Sequence, residues 1–241
     1  MRKALVVGIN YYERAVHLHG CVSDAYAIHQ VLDCNVDGSI NFDTFLMTAV
    51  DEHTAIDRRE LKSAVRQLFS DDADIALFYF AGYGYVENNV GYLVTSDCNS
   101  GGSGLPLDEV LNIANESKAR NKLLVLDCCQ SGAAGTARPF GEKTLLSEGM
   151  TILAAFSKDR YAQERNGSGL MTRLFVDAMN GAATNLVGDI TQCSVYAYID
   201  QSLGLWEQRP IFKTNVKTVT SLRKVTPPHP TRRIAGDCDA V

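Results

Sequence analysis

Positive charge is in deficit in this 241-residue chain, with 23 lysines and arginines against 28 aspartates and glutamates and a formal net charge of −5. Binders of nucleic acid or anionic membrane need a basic face, so neither is expected as a partner. Long hydrophobic runs are also missing. The apolar stretch Ile75–Ala81 falls far short of the roughly 20 residues that cross a bilayer. Met1-Arg2-Lys3 runs straight into Ala4-Leu5-Val6-Val7-Gly8, with no room for a signal-peptide apolar region and no cleavage site, so a cytoplasmic location is expected. No Cys-x-x-Cys pair occurs among the seven cysteines (Cys21, Cys34, Cys98, Cys128, Cys129, Cys193, Cys238), and none of the five histidines stands at zinc spacing from them. That pattern predicts no disulfide framework, no structural metal and no cofactor. A Gly-x-x-x-x-Gly-Lys loop is absent too, which argues against a nucleotide hydrolase.

What is present reads as a folded α/β chain, with 46% hydrophobic and 21% charged residues, near the globular average. Apolar, β-branched runs alternate with amphipathic stretches, the pattern of a mainly parallel sheet. Ala4–Ile9, Phe42–Thr48, Ile75–Phe80, Lys122–Leu126, Thr151–Phe156 and Pro210–Asn215 predict six strands. Asp24–Leu32, Ala55–Phe69 capped by Thr54, Leu107–Ala114, Met171–Met179 closed by Asn180-Gly181, and a stretch from Thr191 to near Leu203 predict helices. Tyr85–Val86 and Tyr92–Val94 around Asn88-Asn89 suggest a hairpin. Ser131–Gly149, rich in Gly, Ala and Ser, reads as a long loop. The expected architecture is an open, mainly parallel six-stranded sheet with helices on both faces. Residues 1–222 form one domain, and 223–241, with Pro227-Pro228-His229-Pro230, a proline-rich tail or linker.

Open α/β sheets place active sites at the carboxyl ends of their strands. Two of the predicted strands run into unusual sequences there: Phe80-Ala81-Gly82-Tyr83-Gly84-Tyr85 and Leu126-Asp127-Cys128-Cys129-Gln130-Ser131-Gly132. The glycines suggest sharp turns and close approach to a ligand. A cysteine just past a strand end can meet a substrate while neighbouring amides stabilise an oxyanion. Read alone, Cys129 is as readily a small buried hydrophobe, Tyr83 a packed aromatic and Asp24 a helix cap.

Asp127-Cys128-Cys129-Gln130-Ser131-Gly132 resembles the Asp-Cys-Cys-His-Ser-Gly nucleophile motif of the caspase/metacaspase superfamily, in its bacterial caspase-like branch. Phe80-Ala81-Gly82-Tyr83-Gly84 resembles that family's Phe-Ser/Ala-Gly-His-Gly motif. The resemblance continues in order through Leu18–Ala25, Asp37–Phe42, Gly91–Val94, Gly188–Thr191, Val195–Ile199 and Gln208-Arg209-Pro210. It implies a caspase-like domain over residues 1–222 and a cysteine-peptidase dyad, with Cys129 as the nucleophile. It also implies a pocket for Arg or Lys lined by Asp24 and Asp127, because a desolvated cation needs such carboxylates.

The departure lies at the base. Tyr83 stands where the family has its histidine, and Gln130 replaces the histidine that usually follows the nucleophile. A phenol with a pKa of about 10 does not accept a thiol proton at neutral pH as an imidazole near 6.5 does. The resemblance therefore implies a caspase fold with its protease chemistry disabled or strongly impaired. This would be a binding or regulatory module for a peptide or protein with a basic residue, in a signalling or defence assembly. The alternative is a working endopeptidase cleaving after Arg or Lys, with Tyr83 and a water, or His19, in place of the imidazole. Asp33–Ile40 imitates the start of a calcium loop, but Thr44 stands where a bidentate Glu is needed. Ordinary turn chemistry is expected there, without metal.

Overall fold

The computed structural model describes residues 1–88, 90–98, 104–130, 145–157, 168–205 and 209–227. In chain order its strands are β1 (Arg2–Ile9), β2 (Asp43–Ala49), β3 (Ile75–Glu87), β4 (Val90–Leu93), β5 (Leu105–Pro106), β6 (Asn121–Gln130), β7 (Met150–Ser157), β8 (Asp189–Thr191), β9 (Ile211–Asn215) and β10 (Ser221–Lys224). The α-helices among the described residues are α1 (Cys21–Asp33), α2 (Arg58–Phe69), α3 (Leu107–Glu116), α4 (Leu170–Asp177) and α5 (Gln192–Ser202).

The six expected strands line up as β2-β1-β3-β6-β7-β9, with β4 and β5 added beyond that row to give eight strands in all. The first four neighbouring pairs are parallel, and β9 closes the edge antiparallel to β7. The central strands β1, β3 and β6 are almost wholly buried, as continuous apolar runs covered by helices on both faces should be. Helix α1 lies against β1, β2 and β3 and meets α4, which in turn meets α5, while α2 and α3 pack together. Leu61, Val65, Leu68 and Phe69 of α2 are buried as one stripe. Each contributes about 1.5–3 kcal/mol of hydrophobic stabilisation. No helix among the described residues is long and apolar enough to cross a membrane.

Several local expectations change. Helix α2 is capped by Asp57, whose carboxylate accepts from the Glu60 amide at 2.8 Å. Thr54 instead closes a single 3-10 turn with Asp51 in a reciprocal capping box. Asp51 wins Thr54 because it sits three residues ahead, the spacing that box requires. Thr191 does cap α5, paired with Ser194. Helix α4 ends at Asp177 and runs into a wide turn, Ala178–Ala182, in which Gly181 takes φ +122°. The stretch resembling a calcium loop is a tight turn held by its own bonds. Asn35 donates its amide to the Ser39 carbonyl at 2.9 Å, and Asp37 accepts from the Ser39 amide at 2.9 Å.

Strand β3 does not stop at Phe80, nor β6 at Leu126; both run on through the motifs. The reason is that Gly82 and Gly84 provide room rather than turns. A Cβ on Gly82 would lie 2.7 Å from the Tyr12 hydroxyl, and one on Gly84 3.0 Å from Cys128 Cβ. Past Ala81, where β1 runs out, the free edge of β3 takes β4 as an antiparallel partner, Gly84 opposite Leu93 and Glu87 opposite Val90. This is the hairpin expected around Asn88, which adopts φ +50°. Of the long loop expected over Ser131–Gly149, residues 131–144 lie outside the described residues.

The fold also reaches past the expected boundary at Leu222. Strand β10 pairs antiparallel with β8 through Lys224, and Arg223 donates to the Met179 carbonyl at 3.0 Å and the Asn180 side chain at 2.8 Å. The Arg2 guanidinium, at the amino end of β1, donates to the Ser221 carbonyl at 2.7 Å and to the Asn41 side chain. The rest of the expected tail, 228–241, lies outside the described residues.

Candidate active site

The β3–β6 ladder brings the two motifs side by side. Ala81 pairs with Asp127, Gly82 with Cys128, Tyr83 with Cys129 and Gly84 with Gln130. Neighbouring strands lie about 4.8 Å apart, so the backbones at 83 and 129 are close enough for a cooperating pair. The side chains of Cys129 and Gln130 lie outside the described residues. Cys128 is buried against Gly84, the place of a core residue and not of a nucleophile.

Tyr83 is nearly buried, at 9% exposure, with its ring tilted against that of Tyr12 at a centroid distance of 4.9 Å. Its amide donates to the Tyr12 hydroxyl at 2.8 Å, and its carbonyl accepts from the Val94 amide at 2.9 Å. Tyr12 arrives on the loop after β1, which Asn10 shapes. The Asn10 carbonyl accepts from the Leu18 amide at 2.9 Å, and its side chain accepts from the Val22 amide at 3.2 Å. His19, on the same loop, is exposed. Beyond Tyr83, the rings of Tyr85 and Tyr92 stack at 4.7 Å across the hairpin, and burial pushes the Tyr85 phenol above its ordinary pKa.

The two aspartates converge on one short segment, 168–172. Asp24 sits in the first turn of α1 and is fully buried. The N-cap of α1 is Gly20 and not Asp24. The Asp24 carboxylate accepts from the Ser168 hydroxyl, and the Gly169 amide reaches both of its oxygens, Oδ1 at 3.2 Å and Oδ2 at 3.1 Å. Gly169 is the N-cap of α4, so a carboxylate there meets the favourable end of the helix dipole. Asp127, 4% exposed, accepts from the Thr172 hydroxyl at 2.5 Å, and Thr172 is joined at 2.6 Å to the hydroxyl of Tyr79.

The sequence model of the caspase domain family matches residues 1–215. The chain belongs to the caspase domain family. Metacaspase-1 of Plasmodium falciparum is 26% identical to it over 148 residues, covering 55% of this chain and 24% of that protein. The chain thus spans about a quarter of the length of this curated relative. Two solved structures share the fold at low identity. Caspase-1 from Spodoptera frugiperda superposes with a TM-score of 0.65 at 14% identity, over 92% of this chain and 89% of that one. A protein from Geobacter sulfurreducens gives 0.64 at 15% identity, over 93% and 97%. The caspase-like fold expected from the motifs is therefore the fold observed, and the protein is cysteine-peptidase-like by family.

Sequence reasoning missed Tyr12, Tyr79, Ser168, Gly169 and Thr172. Tyr12 carried a weak signal as an aromatic just beyond a strand end. Thr172 lies 45 residues from Asp127 in the chain, and only the fold of α4 onto the sheet joins them.

Proposed function

We propose that this caspase domain is a catalytically impaired pseudoprotease that holds a basic side chain of a peptide or protein. The observation that carries the reading is the register pair Tyr83–Cys129. The position facing the nucleophile strand holds a phenol where the motif it resembles has an imidazole. A phenol near pKa 10 stays protonated at neutral pH and leaves the thiol without an acceptor. Asp24 and Asp127 are the carboxylates for an Arg or Lys side chain, and their bonds to Ser168, Gly169 and Thr172 keep them oriented. A preorganised pair of this kind lowers the cost of desolvating a cation. The retained cysteine at 129 favours one further reading, a residual endopeptidase cleaving after Arg or Lys, in which Cys129 is the nucleophile. In either case the resemblance to the bacterial branch suggests a cytoplasmic signalling or defence role, with the residues after the domain as a linker.

Binding tests the pocket separately from catalysis. A peptide aldehyde ending in arginine should bind more tightly than its aspartate counterpart, read by fluorescence anisotropy of a labelled competitor. Replacing both Asp24 and Asp127 with Asn should remove the preference. Equal affinity of the two aldehydes for the unaltered protein would refute the basic pocket.

A further inference from the structure

We infer that Thr172, backed by Tyr79, is a positioning residue that sets the specificity of the Asp127 pocket. This inference rests on the basic-pocket reading above. Tyr79 belongs to β3, Asp127 to β6 and Thr172 to α4, so the three side chains strap two strands to a helix. A threonine hydroxyl has one proton, and an aspartate carboxylate only accepts. The Thr172 proton therefore points to Asp127 Oδ2, at 2.5 Å. The contact between Tyr79 and Thr172, at 2.6 Å, is then donated by the phenol. The relay has one direction, Tyr79 to Thr172 to Asp127, and each link polarises the next.

Burial argues that the hydroxyls act on Asp127 rather than merely fill space. Tyr79 and Thr172 are both fully buried, where an unbonded hydroxyl costs about 1–3 kcal/mol. Val and Phe would fill nearly the same volume without that cost. The hydroxyls gain their use from where the relay ends, on a carboxylate at the carboxyl end of β6. Ser168 and Gly169, which lead into the first turn of α4 where Thr172 stands, donate to Asp24. The segment 168–172 at the start of α4 therefore orients both carboxylates, and Thr172 is its link to the second.

The test compares arginine and norleucine peptide aldehydes, which differ in the cation and little in size, on the full chain. Thr172→Val should lower the arginine-over-norleucine preference by about tenfold, the size of one hydrogen bond to a charged group, and leave norleucine affinity unchanged. Thr172→Ser, which keeps the donor, should restore the preference, and Tyr79→Phe should fall between. If Thr172→Val weakens both aldehydes equally, or keeps the preference that Asp127→Asn loses, the inference is overturned while the basic pocket stands. If the unaltered protein shows no preference for arginine, both fall together.

Discussion

Tyr83→His should switch on cleavage after Arg or Lys by about 10²–10⁴-fold, the range a positioned general base contributes. The backbone at 83 already faces 129 across the β3–β6 ladder, so an imidazole there needs no new chain path. The hydrogen bond that the residue 83 amide donates to the Tyr12 hydroxyl at 2.8 Å involves the main chain and survives the change. Fluorogenic Arg and Lys peptides give the rate. Alkylation of Cys129 by iodoacetamide should quicken in parallel, because an imidazolium stabilises thiolate. A sluggish thiol and uncut peptides would show that the lesion extends beyond Tyr83, leaving a binding module alone. Efficient, Cys129-dependent cleavage by the unaltered chain would sink the pseudoprotease reading, and His19→Ala would then be the next variant to assay.

Gly8→Ala should be the most damaging small change near the site, although residue 8 carries no chemistry. A methyl there would overlap the Cys21 carbonyl and lie 2.7 Å from Ala25 Cβ, so the first turn of α1 would have to lift from β1. Overpacking of this kind costs about 1–3 kcal/mol. For a domain of this size that lowers Tm by roughly 2–12 °C, at about 2–4 °C per kcal/mol. Because Asp24 rides on the same turn, arginine-aldehyde affinity should fall along with Tm. Thermal denaturation and the anisotropy assay read the two effects. An unchanged Tm would mean that α1 does not rest on Gly8 as described.

The parallel core was legible because Ala4–Ile9, Ile75–Phe80 and Lys122–Leu126 are long apolar runs, and their side-by-side order is observed. The caspase domain family was legible as well, through the resemblance of the motifs. What escaped had physical reasons. Gly82 and Gly84 suggested turns because glycine permits them, but their service is to make room for Tyr12 and Cys128. Strands β5, β8 and β10 span two to four residues, too few for a period of two to declare itself. Asp57 lost the cap assignment to Thr54 because both residue types cap well, and only Asp51 decides which is free. The partners of Asp24 and Asp127 come from α4, and no local pattern on α1 or β6 points to it.

The bond from Arg2 to the Ser221 carbonyl sets where any appended module would hang. Arg2 and Ser221 both stand at the amino ends of the strands, where Arg2 pairs with Ile75. Tyr83 is eight residues further along β3 (83 − 75), about 26 Å at ~3.3 Å per residue. A tethered inhibitor or substrate segment would need about 22 residues of Gly/Ser-type linker for its mean reach of ~5.5 Å × √n to match that span. Tethers of fewer than about eight residues, at most ~3.3–3.6 Å each when fully extended, would fall short of the site, and between about eight and 22 residues the local concentration of the segment would climb with length.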